Sequence, residues 1–365
     1  MSSSKSLAFL DAALADLEAA SARRVRRARV GEGLVDLSSN DYLGLARRTE
    51  THAGVFGAGA SRLVTGDCAS HEDLERDLAR WLGLDDALVF SSGYAANVGT
   101  VSALVGAGDL VVSDALNHAS IIDGCRLARA QVVVVPHLAV DAVDHALRTH
   151  AHRRALVVTE SWFSMDADTP NLAALRAVCD AHDAMLMVDE AHALGVFGPE
   201  GRGLCAAAGV TPDIFVGTFG KAFGGAGAFV AGSDALLDWL WNRARSFVFS
   251  TGVPPVIADV LRERLGLVRG ADNERARLAT LSARVRAAVP SHRRTRGHGP
   301  IVPIVCGSND DALAAQAFLR GRGFHVGAIR PPTVPVNEAR LRLTLSANLD
   351  DRVVSGLEAA LGGLP

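Results

Sequence analysis

Short apolar runs alternate with longer helical stretches through the middle of the chain. The runs are rich in valine, leucine and isoleucine, and they lie at 87–90, 110–112, 132–135, 156–159, 184–188 and 214–216. Strands that are apolar on both faces are typical of a parallel sheet covered by helices on each side. The pattern therefore predicts an α/β fold with a mainly parallel central sheet.

The N-terminal pattern is that of an amphipathic helix. Leucines recur at helical spacing at positions 7, 10, 14 and 17, and a basic run follows at 23–27. This segment predicts a helical arm over 1–46, ahead of a large domain over 47–256.

The pattern changes again after two prolines, Pro254 and Pro255. The predicted elements are a long helical region from 257 to about 289, a strand at 301–306, a helix near 311–320 and a strand at 341–345. Helices mixed with a few separated strands are typical of an α+β arrangement. We therefore expect a smaller C-terminal domain over 257–365.

Charge and composition exclude several classes of protein. The 365 residues correspond to about two domains of roughly 150 residues each. Lysine and arginine number 37 against 40 aspartates and glutamates, which gives a net charge of −3. Because binding to nucleic-acid phosphates needs a basic excess, we expect no nucleic-acid partner.

The sequence also lacks the features of membrane and secreted proteins. No apolar run reaches the roughly 20 residues of a membrane span, and the N-terminus has no signal-peptide pattern. The five cysteines are scattered without a C-x-x-C pair, which is typical of reduced thiols rather than of disulfides or zinc ligands. We expect a cytoplasmic protein with no membrane contact and no metal.

Polar residues, together with one glycine, follow five of the apolar runs. They are Ser92, Gly93 and Tyr94 after the first, His118 after the second, Glu160 and Ser164 after the fourth, Asp189 and His192 after the fifth, and Thr218 and Lys221 after the sixth. The carboxyl ends of parallel strands share one edge of a sheet, where open α/β folds bind ligands. These residues are therefore expected to line one pocket.

This set of groups suits pyridoxal 5′-phosphate (PLP). A lysine amine forms a Schiff base with an aldehyde, and a carboxylate such as Asp189 can hold a pyridine nitrogen protonated. A helix N-terminus with hydroxyl groups binds phosphate, which the segment 92–94 and Thr218 supply. Lys221 is the candidate amine. Taken singly, each residue is more often structural, and only their joint order favours the cofactor.

Other motif interpretations fail on spacing. Residues 189–192 spell the DEAH box of nucleic-acid-dependent ATPases, but that enzyme class needs an upstream phosphate loop. The only Gly-Lys pair, Gly220–Lys221, lies downstream and is followed by Ala222. Neither a zinc-protease motif after His71 nor a dinucleotide-binding glycine spacing is present.

Longer motifs extend the match along nearly the whole chain. They are Ser-Ser-Asn-Asp-Tyr-Leu-Gly-Leu at 38–45, Gly-Ala-Ser-Arg-Leu-Val-Thr-Gly at 59–66, and further segments at 92–97, 117–120, 160–168, 189–195 and 218–221. Together they resemble the α-oxoamine synthases, a family of PLP-dependent enzymes with the type I aminotransferase fold. The resemblance implies that fold, PLP as the cofactor, and a homodimer with shared active sites.

The resemblance also implies roles for the cofactor-binding residues. Lys221 would form the Schiff base and move the proton at the substrate Cα, His118 would stack on the pyridine ring, and Asp189 would pair with its nitrogen. His192 would donate to or accept from the ring hydroxyl. The phosphate would be held by Ser92, Gly93, Tyr94 and Thr218, together with Ser250 and Thr251 of the partner subunit.

On the substrate side, the resemblance places Ser164 near the reacting carbonyl, with Asn40 and Arg342 facing the amino acid. Arg342 would bind the amino-acid carboxylate through two hydrogen bonds. The segment 328–335, which contains Thr333, is similar to that of family members that condense L-alanine with a pimeloyl thioester in biotin biosynthesis. Whether the thiol carrier is coenzyme A or acyl carrier protein stays open.

A pimeloyl chain ends in a carboxylate, which an arginine would recognise. Arg24 and Arg330 are the candidates for that contact. Glycine C-acetyltransferase or another α-oxoamine synthase activity, and a non-catalytic protein of the same fold, remain alternatives. The chain departs from the family pattern at Phe249, Ala167 and 193–194, where tyrosine, glycine and a Gly-Thr or Gly-Ser pair are usual.

Overall fold

The computed structural model describes residues 9–23, 33–48 and 52–364. The strands β1 to β13 are, in chain order, Val35–Asp36, Asp86–Phe90, Leu110–Asp114, Gln131–Val135, Ala155–Glu160, Met185–Asp189, Ile214–Thr218, Ala228–Gly232, Arg294–Thr295, Ile301–Gly307, Phe324–His325, Gly327–Ile329 and Ala339–Thr344. The helices α1 to α13 are Phe9–Ala19, Ala69–Leu82, Gly93–Leu104, Ala119–Ala128, Val140–Thr149, Leu172–Ala181, Leu204–Ala207, Asp234–Arg243, Arg245–Val248, Pro255–Arg269, Asp272–Ala287, Asn309–Arg320 and Asp351–Gly362.

The chain divides into two compact units. The larger consists of the described part of Asn40–Ser164 together with Asp168–Arg277. The smaller combines the described part of Met1–Ser39 with Met165–Ala167 and the described part of Leu278–Pro365. The short segment 165–167 therefore leaves the larger unit and returns to it at Asp168.

The larger unit is built on a seven-stranded sheet with the order β2-β8-β7-β6-β5-β3-β4. The pairs from β7 through β6, β5 and β3 to β4 are all parallel, whereas β8 runs antiparallel to both β7 and β2. This confirms the predicted α/β fold with a mainly parallel sheet. The reversed strand β8 was not predicted from the apolar runs.

The sheet is apolar on both faces because successive side chains of a strand point to opposite sides. Val111 of β3 packs into a core that includes Ile121 of α4, whereas its neighbour Val112 packs into a second core with Leu147 of α5. Every residue of β3 and β5 is buried. The near-continuous apolar runs thus reflect burial between two helical layers.

The helical region expected over 257–289 consists of two helices, α10 and α11. It is interrupted at Gly270 and Ala271, between α10 and α11. Arg262 of α10 forms ion pairs with Asp73 and Asp77 of α2, with N–O distances of 3.0 and 2.6 Å. Residues up to Arg277 therefore pack with the larger unit. The three-part division over 1–46, 47–256 and 257–365 stays a prediction.

The smaller unit holds an antiparallel sheet with the order β12-β13-β10-β9 and a parallel pair, β1 and β11. Arg340 of β13 is only 1% exposed and donates to Asp166 at 2.7 Å, which ties the segment 165–167 to this unit. The N-terminal helix is confirmed as α1, and none of its residues is buried. Among the described residues, no helix is both long and apolar enough to cross a membrane.

Candidate active site

The carboxyl ends of three parallel strands bring the predicted polar groups together in the larger unit. Glu160 ends β5 and is paired in register with Asp189, which ends β6 and itself lies opposite Val216 of β7. His118 comes after β3. The charges of Asp189 and Lys221 both influence the pKa of its imidazole. The structure thus assembles the expected histidine, carboxylate and lysine at one edge of the sheet.

The turn that carries Lys221 is fixed by backbone and hydroxyl contacts. The Thr218 hydroxyl donates to the Gly227 carbonyl at 3.1 Å and accepts from the Gly220 amide at 3.3 Å. The Gly224 amide donates to the Lys221 carbonyl at 2.8 Å, and Gly224 has a φ of +63°. A side chain at Gly224 would also meet the backbone of residues 45 and 46. Lys221 is therefore held at a defined place, with its side chain half-buried.

The Asp189 carboxylate receives a hydrogen bond on each oxygen. The Ala191 amide donates to Oδ1 at 2.8 Å, and the Asn97 side-chain amide donates to Oδ2 at 2.7 Å. Asp189 is 6% exposed. Both donors stabilise its negative charge inside the protein. Asn97 belongs to the motif at 92–97, but no role was predicted for it from the sequence.

His192 is oriented by a residue far away in the sequence. The Tyr42 hydroxyl lies 2.8 Å from His192 Nδ1, and Tyr42 is completely buried. The ring of Trp162 lies edge-on to His192, at 6.4 Å between centroids. Tyr42 lies in the motif at 38–45, but the sequence motif did not predict its contact with His192.

His118 is exposed to solvent. Desolvation by the surrounding protein lowers the pKa of its imidazole; Asp189 opposes this shift and Lys221 adds to it. Glu160 is fully buried beside the same groups. Burial, followed by the negative charge of Asp189, raises the pKa of Glu160 to about 8. No role was predicted for Glu160 from the sequence.

The start of α3 suits a phosphate group. Ser92 is the N-cap, and its hydroxyl accepts from the Ala95 amide at 3.1 Å. The first amides of a helix, here those of Gly93 and Tyr94, have no acceptor within the helix and favour anions. A Cβ at Gly93 would lie 3.8 Å from the Thr218 hydroxyl, so the two predicted phosphate contacts are neighbours.

The side chain of Tyr94 points elsewhere. It is 48% exposed, and its hydroxyl donates to Asp123. That hydrogen bond raises the pKa of the Tyr94 hydroxyl. The phosphate contact predicted for Tyr94 therefore rests on its backbone amide.

Ser164 lies on the loop that follows β5. The Phe163 amide donates to the Asp168 carbonyl at 3.0 Å, which closes this loop. His137 holds it from outside, with Nε2 at 3.1 Å from Asp168 and Nδ1 at 2.8 Å from Asp114. His137 had no predicted role, because it follows the edge strand β4 rather than one of the central strands.

The other predicted residues lie away from this cluster in the sequence and stay predictions. Ser250 and Thr251 follow α9, next to Phe249, which is 71% exposed and stacks under Arg245 at 4.8 Å. Asn40 begins the larger unit. In the smaller unit, Arg342 donates to the Thr344 hydroxyl at 2.9 Å, Arg330 donates to the Ser21 carbonyl, and Thr333 is exposed. Arg24 lies outside the described residues.

The departures from the family pattern have visible consequences at one position. Ala167 takes a φ of +56°, the conformation that suits the usual glycine. Ala193 and Leu194 are buried without polar contacts of their side chains. In the described part of the chain, no group of three or more histidine, cysteine or acidic side chains is arranged to hold a metal ion.

Comparisons with known proteins agree with this geometry. Residues 32–361 match the family described as aminotransferase class I and II. An 8-amino-7-oxononanoate synthase from Anaeromyxobacter dehalogenans is 48% identical over 92% of this chain and 87% of its own. A second, from Paracidovorax citrulli, is 44% identical over 97% of this chain and 93% of its own.

The fold also matches a solved enzyme along its full length. A Sphingomonas wittichii serine palmitoyltransferase superposes with a TM-score of 0.89 at 29% identity, covering 99% of this chain and 98% of that one. Fold, site geometry and sequence similarity over the same residues lead to one conclusion. The chain belongs to the aminotransferase class I and II family.

Proposed function

We propose that this protein is a PLP-dependent 8-amino-7-oxononanoate synthase of biotin biosynthesis. In this reaction L-alanine and a pimeloyl thioester form a carbon–carbon bond, the alanine carboxyl leaves as CO₂, and the thiol is released. The observation that carries the proposal is full-length identity of 42–48% to curated 8-amino-7-oxononanoate synthases. The cluster of His118, Asp189 and Lys221 supplies the chemistry it requires.

The residues present fit PLP. An amine on a constrained turn matches the aldehyde of PLP, and a buried carboxylate matches its pyridine nitrogen. A capped helix start beside a hydroxyl matches its phosphate. Lys221, Asp189 and the amides of Gly93 and Tyr94 would take these three parts, with Thr218 assisting. When bound, PLP supplies an electron-poor ring that stabilises negative charge at the substrate Cα.

The protein's own groups move and hold the protons. The Lys221 amine removes the proton from the alanine Cα and later returns a proton to the carbon that becomes C8 of the product. The Asp189 carboxylate is held by the Ala191 and Asn97 donors and would keep a proton on the pyridine nitrogen of bound PLP. His192, fixed by the buried Tyr42 hydroxyl, presents its ring in one orientation.

We also propose a homodimer with shared active sites. The support is the exposed Phe249 beside Ser250 and Thr251, the residues expected to act across the dimer. A single exposed apolar ring is common on protein surfaces, so the proposal rests mainly on the family resemblance, which assigns Ser250 and Thr251 to the active site of the other subunit. A dimer by light scattering, with loss of activity in Thr251→Arg, would support this arrangement.

The reaction is tested by pairing amino acids with acyl thioesters and measuring thiol release from the PLP-loaded protein. L-alanine with pimeloyl thioester, as coenzyme A and as acyl-carrier-protein forms, is expected to give the highest kcat/KM. Glycine with acetyl thioester and L-serine with palmitoyl thioester are the competing pairs, and Lys221→Ala is the inactive control. A higher kcat/KM for either competing pair would contradict the proposal.

A further inference from the structure

A continuous chain of hydrogen bonds joins His118 to Asp189, two of the residues predicted to contact the cofactor. Asn97 Nδ2 lies 2.7 Å from Asp189 Oδ2 and 3.0 Å from the Ser120 hydroxyl. The Ser120 hydroxyl lies 2.7 Å from His118 Nδ1. The members come from four places: the loop before α4, α4 itself, α3 and the end of β6. Asn97 and Ser120 are almost completely buried.

The direction of each bond follows from what the groups can donate. An amide nitrogen carries two hydrogens, and both are used: one towards Asp189 and one towards Ser120. The reverse amide orientation would set Asn97 Oδ1 against a carboxylate oxygen. Because the Ser120 oxygen accepts from Asn97, its own hydrogen is available for His118 Nδ1.

A second donor points at the same imidazole nitrogen. The Ser120 backbone amide lies 3.3 Å from His118 Nδ1, where the imidazole caps the start of α4. Two donors converging on Nδ1 require a lone pair there, so the ring proton belongs on Nε2. The lowered pKa of His118 agrees with a neutral ring.

This orientation of the Asn97 amide carries an energetic cost. Asn97 Oδ1 is buried and has no hydrogen-bond partner among the described residues. A buried, unpaired carbonyl is usually avoided because it loses its contacts with water. Leucine would fill a similar volume without that loss. We therefore attribute the amide at position 97 to the two hydrogen bonds that its nitrogen donates.

We propose that Asn97 and Ser120 are positioning residues: one side-chain amide holds the Asp189 carboxylate and, through the Ser120 hydroxyl, fixes His118 as the neutral imidazole protonated at Nε2. The inference rests on the proposed function in that Asp189 and His118 contact PLP. Both groups would then be oriented before the cofactor binds. The charged and titratable groups around His118 are Asp189, Lys221 and Glu160, whose carboxylate accepts the His118 backbone amide.

The test measures the imidazole in the cofactor-free protein. Histidine C2 hydrogen–deuterium exchange, read by mass spectrometry across a pH series, gives the pKa of His118. Ser120→Ala removes one of the two donors to Nδ1, so the pKa should rise by about 0.5–1 unit. The matched control is Ser102→Ala on α3, whose hydroxyl donates to the Val98 carbonyl at 2.6 Å outside this chain; it should leave the pKa unchanged.

A second measurement follows Asp189. Asn97→Ala should weaken binding of PLP to the cofactor-free protein by about tenfold, since a donor to a buried carboxylate is lost. Ser120→Ala should weaken it less, because Asp189 keeps both of its donors. Should Asn97→Ala fail to fold, Ser120→Ala alone decides, since it breaks the same chain by removing one atom.

The outcomes separate this inference from the proposed function. An unchanged His118 pKa in Ser120→Ala overturns the inference even if the wild-type protein binds PLP and condenses its substrates. Equal PLP affinity of Asn97→Ala and the wild type also overturns it. If the wild type did not bind PLP, the proposed function would fall, while the exchange measurement would still report on the hydrogen-bond chain.

Discussion

Replacing His137 with glutamine is expected to change how the stability of the protein depends on pH. The His137 imidazole bridges Asp114 and Asp168, and its side chain is 21% exposed. These two carboxylates outweigh the effect of burial and raise the pKa of His137 from 6.5 to about 9. The folded protein thus keeps a proton on His137 at a pH where the unfolded chain has lost it.

The sign and size of the effect follow from linkage. Because folding raises the pKa, the stabilisation is fully present below about pH 6.5 and disappears as the pH rises through about 9. At 1.36 kcal/mol per pKa unit, the difference amounts to about 3 kcal/mol at its largest. Glutamine keeps one hydrogen-bond donor but cannot carry the charge.

The assay is urea unfolding of the wild type and His137→Gln at pH 6 and pH 9.5. The variant should be less stable by about 3 kcal/mol at pH 6, and most of this gap should close at pH 9.5. His145→Gln, at an exposed position of α5, is the matched control and should show no such closure. A gap of equal size at both pH values would refute the reasoning.

Three further changes are expected to have measurable effects. Arg62 binds the buried Glu75 carboxylate through two nitrogens, so Arg62→Ala leaves a buried charge without its partner. The variant should be less stable in urea unfolding by about 3–5 kcal/mol, and a loss below 1 kcal/mol would contradict this. Ala167→Gly should stabilise by about 0.5–1 kcal/mol because φ is positive there, and a lower melting temperature would show that the alanine is unstrained. Arg330→Ala should reduce kcat/KM for pimeloyl thioester about ten- to a hundredfold relative to an uncharged thioester of equal length, because a charge-assisted contact is lost. If the ratio of the two kcat/KM values does not change, Arg330 does not recognise the acyl chain.

The main strands of the sheet were predictable because burial on both faces leaves a strong pattern. β5, with six buried residues in succession, is an example. The pattern did not reveal β8, which pairs antiparallel with β7 after a glycine-rich turn at 224–227 that reads as loop. It predicted a helical region over 257–289 but did not locate the break between α10 and α11 at Gly270 and Ala271.

The site was predictable as far as strand ends place residues together. Lys221, Asp189 and His118 each follow a strand of the same sheet edge, and the structure assembles them. The residues that orient them were not predictable, since their partners are distant in sequence. Asn97 and Asp189 are 92 positions apart, and Tyr42 and His192 are 150 apart. Such contacts follow from tertiary packing, which local spacing does not encode.

We expect Lys221 to be the residue that bonds PLP. The chain has only two lysines, Lys5 and Lys221, so the assignment can be made on a single peptide map. The PLP-loaded protein is reduced with borohydride, digested and analysed by mass spectrometry for the mass of the reduced PLP adduct. We predict the adduct on the peptide containing Lys221 and its loss in Lys221→Ala. An adduct on Lys5, or an undiminished yield of labelled protein in Lys221→Ala, would contradict the account.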